Sequence, residues 1–195
     1  VVDYSLIHCR KIFNWAHDMA LKATIFKATV SISDMDRNYY QEHHLTLARH
    51  PSETDARMML RLLAFILNAS ETLEFTKGLS EVDDPDLWQK SLTDEIELWI
   101  ELGQPSEQRL KKGCNQSQVM KVYSYADNAF DTWWSKEQNK AWQHQNLQVI
   151  TVEAALAEQL SQVVERNMQI QASIQDGQLW LNLGESSFEI TPTRR

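Results

Sequence analysis

The chain has 195 residues, with two cysteines, five glycines, seven tryptophans and a formal net charge of −8. That length and apolar content belong to one folded domain with its own core, and they exclude a disordered chain. The acidic balance weighs against a broad nucleic-acid footprint, because non-specific affinity comes mainly from lysine and arginine neutralising phosphates. It still leaves room for a small site in which a few cations focus the field.

Two cysteines, Cys9 and Cys114, make neither a disulfide framework nor a zinc site. No stretch approaches the roughly 18 apolar residues of a membrane span, and the best run, Leu62 to Leu67, follows Arg61. No membrane partner and a cytoplasmic location are expected; the oligomeric state is left open. Val1 to Asp18 lacks the apolar core of a signal peptide. Because Met19-Ala20-Leu21-Lys22 has the form of a natural start, residues 1–18 are expected to be an upstream extension. Residues 19–195 then form a single domain.

In chain order, Phe26, Ala28, Val30 and Ile32 alternate with Ile25, Lys27, Thr29 and Ser31 and predict a strand. A turn over Asp34 to Asn38 leads to a second strand, His44 to Ala48, returning beside the first. Pro51-Ser52-Glu53 opens a helix with Ser52 as N-cap and Met58, Met59, Leu62, Leu63 and Ile66 on its buried face. Leu73 to Thr76 is a short strand broken at Gly78, and Val82 to Asp86 is an acidic loop. Ile96, Leu98, Ile100 and Leu102 then alternate with Glu97, Trp99 and Glu101, which predicts a half-buried strand with Glu101 facing a groove. A helix follows from about Ser106, then a strand over Val119 to Tyr125, a helix over Asp127 to Gln138 and a strand over Leu147 to Thr151. A helix from Glu153 to about Glu165 precedes a hairpin turning at Asp176-Gly177, a type I′ signal, and a last strand around Phe188 and Ile190. The sum is a mixed α/β domain with a β-rich tail.

Several residues along this path can carry chemistry. Glu53, Arg57 and Arg61 lie four apart and share a helix face; taken alone they read best as a solvated ion-pair stripe. Glu97 and Glu101 resemble a metal pair, but four residues along a strand span about 13 Å. Ligands of one Mg²⁺ must lie within roughly 4 Å of each other. Only one of the two can therefore bind an ion, with a partner from another element. Asp86 is the preferred partner and Asp84 the second choice, set against a plain solvated acidic turn. Lys111 and Lys112, on the helix after this strand, can reach back toward its end or serve as surface lysines. His43, His44 and His50 show no metal-binding spacing, and Cys114 reads as a buried, inert thiol.

Met19 to Val30, Leu45 to Thr54, Phe75-Thr76-Lys77-Gly78-Leu79, Leu98 to Gly103 and Gln171 to Gly177 closely resemble the YaeQ family of bacterial proteins. That family is similar in turn to the PD-(D/E)XK nucleases. The resemblance implies a restriction-endonuclease-like core, a mixed sheet flanked by helices, with an extra N-terminal β-hairpin and a C-terminal β-meander. It matches Glu53 to the helix acid, Asp86 to the Asp after Pro, and Glu101 to the Glu of Glu-x-Lys. The lysine position of that motif holds Gly103, so Lys111 or Lys112 would have to replace it.

Two functions follow as expectations. One is a Mg²⁺-dependent nucleic-acid phosphodiesterase: Asp86 and Glu101 hold the metal, Glu53 supports it, Lys111 or Lys112 offsets charge, and Arg49 and Arg57 position the phosphate backbone. The other is a non-catalytic interaction protein on a degenerate nuclease scaffold.

Overall fold

The first strand, β1 (Thr24–Asp34), buries Phe26, Ala28, Val30, Ile32 and Asp34, every second residue, as its alternation requires. The chain turns at Asn38 and returns as β2 (Tyr39–Arg49), antiparallel, with Thr24 opposite Arg49. This computed structural model describes residues 23–76, 83–141 and 143–195. The expected extension over Val1 to Asp18 and the strand break at Gly78 lie outside the described residues.

Helix α1 (Asp55–Asn68) starts later than expected. Its cap is Thr54, whose hydroxyl accepts the Arg57 N–H at 3.2 Å, whereas the Ser52 hydroxyl meets His50 Nδ1 at 2.6 Å. The later start leaves Glu53 ahead of the helix, where its carboxylate turns inward. Every residue from Met58 to Ile66 is buried. A helix enclosed on all sides lies inside the protein, not on its surface.

The remaining elements are β3 (Leu73–Phe75), β4 (Leu87–Lys90), β5 (Ile96–Leu102), α2 (Glu107–Gln116), β6 (Ser117–Ala126) and α3 (Asn128–Ala141). They continue as β7 (Leu147–Glu153), α4 (Ala155–Gln162), β8 (Asn167–Gln175), β9 (Gln178–Leu183), β10 (Ser186–Ile190) and β11 (Thr193–Arg194). Two mixed sheets result, with strand orders β10-β9-β8-β1-β2 and β11-β7-β6-β5-β4-β3. The N-terminal hairpin and the C-terminal meander are thus one sheet, joined by the parallel pair β1 and β8. In the second sheet β5, β6 and β7 run parallel, while β3, β4 and β11 pair antiparallel.

The main core joins the inner face of the first sheet to α1, α4 and one face of the second sheet. On the other face, Trp99, Met120, Val122 and Val149 pack against Leu110 and Cys114 of α2 and Phe130 of α3. The second sheet is therefore a mixed sheet with helices on both sides.

The alternation expected of β5 fails at one residue. Gln89 pairs with Leu98 and Lys90 with Ile96, so Glu97 is an extra residue in a bulge. The bulge moves Ile96 to the core of Trp99, while Leu98 stays with the core of α1. Nor does Glu101 face a groove. It is only 4% exposed, because α2 covers that face of the strand.

Candidate functional site: a buried acid–arginine cluster

Strand β5 ends where Gly103 takes φ +82° and its N–H donates to the Tyr123 carbonyl at 2.8 Å. This backbone conformation resists a side chain. A lysine at this position would be strained. Three residues on, Ser106 caps α2 and accepts the Arg109 N–H at 3.3 Å. The first turn of α2 thereby returns Arg109 to the strand it follows. Arg109 Nε meets Glu101 Oε1 at 2.8 Å, and Trp99 Nε1 donates to the same oxygen at 2.7 Å.

Asp86 lies just ahead of β4, where its N–H donates to the Ile100 carbonyl at 3.0 Å. Its carboxylate accepts the Leu102 N–H at 2.9 Å and takes Arg57 Nη2 on both oxygens, at 2.7 and 2.9 Å. The other Arg57 amino group donates to Glu53 Oε1 at 2.9 Å. Glu53 Oε2 in turn accepts from Arg61 Nη2 at 2.9 Å, and that same nitrogen reaches the Ala48 carbonyl. Glu53, Arg61, Asp86 and Glu101 are all buried, and Arg57 keeps a quarter of its side chain exposed. Three carboxylates are thus matched by three arginines.

Burial raises the Glu101 carboxyl above its ordinary value; the bonds from Arg109 and Trp99 oppose this, and nearby Asp86 adds to it. For Arg57, burial disfavours the charge, yet Asp86 and Glu53 together lift its pKa. Burial wins at Arg61, whose pKa falls despite Glu53.

Sequence reasoning named Glu53, Asp86, Glu101 and Arg57, and the fold brings these four together. Glu53 and its arginines are not the solvated stripe expected of them, because α1 is an interior helix. The expected lysines lie elsewhere. Lys111 is exposed. Lys112 Nζ binds the Asp83 carboxylate at 2.6 Å and sits 6.0 Å from the Trp99 ring centre. Asp84 offers its backbone carbonyl to Arg109. Arg49 pairs with Asp55 and lies over the Phe26 ring, 5.5 Å from its centre. The residue missed was Arg109, whose signal was its place three positions after the Ser106 cap.

The cluster does not have the donor set of a metal site as it stands. Each carboxylate already receives an arginine, and among the described residues no group of three or more acid, histidine or cysteine ligands converges to hold an ion. A hard divalent cation needs about six oxygen ligands, partly from water, and here it would compete with Arg57 for Asp86. Beside Arg57 a cavity of about 360 Å³ opens, lined by Thr54, Gly103, Gln104, Ser124 and Asp127 among others. It lies at the carboxyl ends of parallel β5 and β6, where open α/β sheets place their ligands.

These features define a class: a two-sheet α+β domain with a charge-compensated cluster at the end of its parallel strands. The chain belongs to the YaeQ family, whose model, described as YaeQ protein, matches residues 19–192. It is 48% identical over 175 residues to YaeQ of Salmonella typhi, covering 90% of this chain and 97% of that one. With YaeQ of Escherichia coli K12 the identity is 46% over the same shares. Among solved structures, YaeQ of Xanthomonas axonopodis pv. citri superposes with a TM-score of 0.85 at 46% identity, covering 89% of this chain and 98% of that one. YaeQ of Pseudomonas syringae superposes at 0.84 with 31% identity, covering 88% and 95%. Among the described residues no helix is long and apolar enough to cross a membrane.

Proposed function

We propose that this chain is a non-catalytic interaction protein built on a nuclease-like scaffold. The observation that carries the reading is Arg57. It bridges Glu53 and Asp86, so a guanidinium occupies the place where two acids would share a cation. The scaffold half of the reading is supported by a mixed sheet flanked by helices, with Glu53 beside a helix, Asp86 after Pro85 and Glu101 on the next strand. The non-catalytic half is supported by Gly103 in the lysine position and by the distant bonds of Lys112. Partner contacts belong at the cavity beside Arg57.

One observation favours a second reading, that of a Mg²⁺-dependent phosphodiesterase: Glu53 and Asp86 share Arg57, which lines an open cavity. A cleavage assay on single- and double-stranded DNA and RNA, with Mg²⁺ or Mn²⁺, separates the two. The expected result is no cleavage above that of Glu101→Gln. Metal-dependent cleavage by the wild type that Glu101→Gln abolishes would overturn the scaffold reading in favour of the nuclease.

A further inference from the structure

A second cavity, of about 270 Å³, lies between the two sheets and is lined by Arg37, Lys121, Tyr123 and Arg194 together with the apolar Leu67 and Ile150. It sits at the Asn68 end of α1, some 16 Å along the helix axis from Arg57, and shares no lining residue with the cavity beside the acid–arginine cluster.

Its polar side chains are arranged as donors. The Asn68 amide group donates to the Ala64 carbonyl at 2.7 Å and to the Tyr123 hydroxyl oxygen at 2.8 Å, which fixes its orientation. Its oxygen then accepts from Lys121 Nζ at 2.6 Å. That single neutral bond is all Lys121 has among the described residues, which leaves two of its three N–H groups uncommitted. Tyr123 accepts from Asn68 but donates to no described residue, so its O–H is uncommitted as well. Arg194 is held by backbone pairing to Ile150, and its guanidinium has no ion pair among the described residues.

Two acids, Asp34 and Asp36, also line the cavity, and both are engaged by other groups. Asp34 is buried and paired with Arg37 at 2.6 Å. Exposed Asp36 accepts the N–H groups of Asp176 and Gly177, each at 2.8 Å. Two cations without an ion pair among the described residues, and a phenol, therefore line one cavity. Burial lowers the Lys121 pKa, and the like charges of Arg37 and Arg194 lower it further. Arg37 has Asp34 as its counter-ion, whereas Lys121 and Arg194 have no ion pair among the described residues.

We infer that the inter-sheet cavity binds a small phosphate monoester, with Lys121, Tyr123 and Arg194 meeting its terminal oxygens and the apolar wall of Leu67 and Ile150 meeting its organic part. A phosphate monoester carries close to two charges and three strong acceptor oxygens. Two lone cations and a third donor match that count better than they match a carboxylate, and the apolar wall favours an organic phosphate over the free ion.

Titration calorimetry of the full chain with phenyl phosphate, inorganic phosphate and benzoate tests this. Phenyl phosphate is expected to bind with one-to-one stoichiometry, more tightly than either of the others. Lys121→Met should weaken it about tenfold or more, the usual loss of a charge-assisted hydrogen bond. Arg194→Gln, on an exposed strand, should fold normally and weaken it several-fold. Tyr123→Phe keeps the ring and removes only the donor. Absence of binding by the wild type, tighter binding of benzoate, or equal binding by wild type and Arg194→Gln would each overturn the proposal.

Discussion

Arg57 serves two buried carboxylates at once; its removal would leave Asp86 without an ion pair among the described residues and Glu53 with Arg61 alone. A buried ion whose partner is lost costs far more than an exposed one. Since Arg57 keeps a quarter of its side chain in solvent, Arg57→Met should cost about 2 to 3 kcal/mol in urea denaturation at pH 7. Glu101 gives a pH signature. Its ordinary value of 4.5 is raised on folding, so above pH 4.5 the folded state holds this proton better than the unfolded state does. Stability from this group is full below 4.5 and declines as pH climbs to the raised value. Glu101→Gln lacks that decline. Denaturant melts at pH 4 and pH 7 should therefore show the variant gaining on the wild type as pH rises; a variant that loses ground to the wild type instead would contradict the assignment.

Among the elements, the hairpin of β8 and β9 is the one most fully legible in the sequence. Asp176 and Gly177 have φ of 51° and 74°, the two positive values that a type I′ turn demands. Ile170, Ile174, Leu179 and Leu181 are all buried below it. A Cβ on Gly177 would touch nothing, so Gly177→Val isolates the backbone cost, about 1 to 2 kcal/mol in thermal or chemical melts. Pattern could not reveal that Asp36, from the turn between β1 and β2, binds both N–H groups of this turn. Asp36→Ala should cost about 1 kcal/mol. Strand β4 escaped notice because Leu87-Trp88-Gln89-Lys90 is too short to alternate and its neighbour Pro85 reads as a loop. The bulge at Glu97 escaped because periodicity assumes an unbroken register.

At the scale of the whole molecule, what pattern could not supply was long-range pairing. Thr29 lies beside Gln169 in parallel strands, and nothing local in either segment encodes the other. The site was half legible for the same reason. The acids stood out by type and spacing, but Arg109 reaches Glu101 only because β5, its tight stop and α2 fold back together. Two consequences can be measured. A chain ending at Gln162 loses β8, β9, β10 and β11 and removes the strand beside Ala28, Val30 and Ile32 of β1; it should lose its near-ultraviolet circular dichroism, and retention would mean the rest of the second sheet folds alone. Cys114 is buried and its thiol is pushed up to about 11. Only about one thiol in a thousand is then ionised at pH 8, so in a Cys9→Ser background iodoacetamide should label the native protein slowly and the denatured protein fast.

The central claim is that arginines, Arg57 above all, hold the carboxylates a divalent ion would need. Calorimetric titration of Mn²⁺ into the wild type and into Arg57→Ala, with thermal melts of both to establish folding, addresses it directly. The account predicts no stoichiometric binding by the wild type. It predicts measurable binding, and stabilisation by Mn²⁺, in Arg57→Ala, where Asp86 and one oxygen of Glu53 are freed. Tight one-to-one binding by the wild type that Asp86→Asn or Glu101→Gln removes would contradict it.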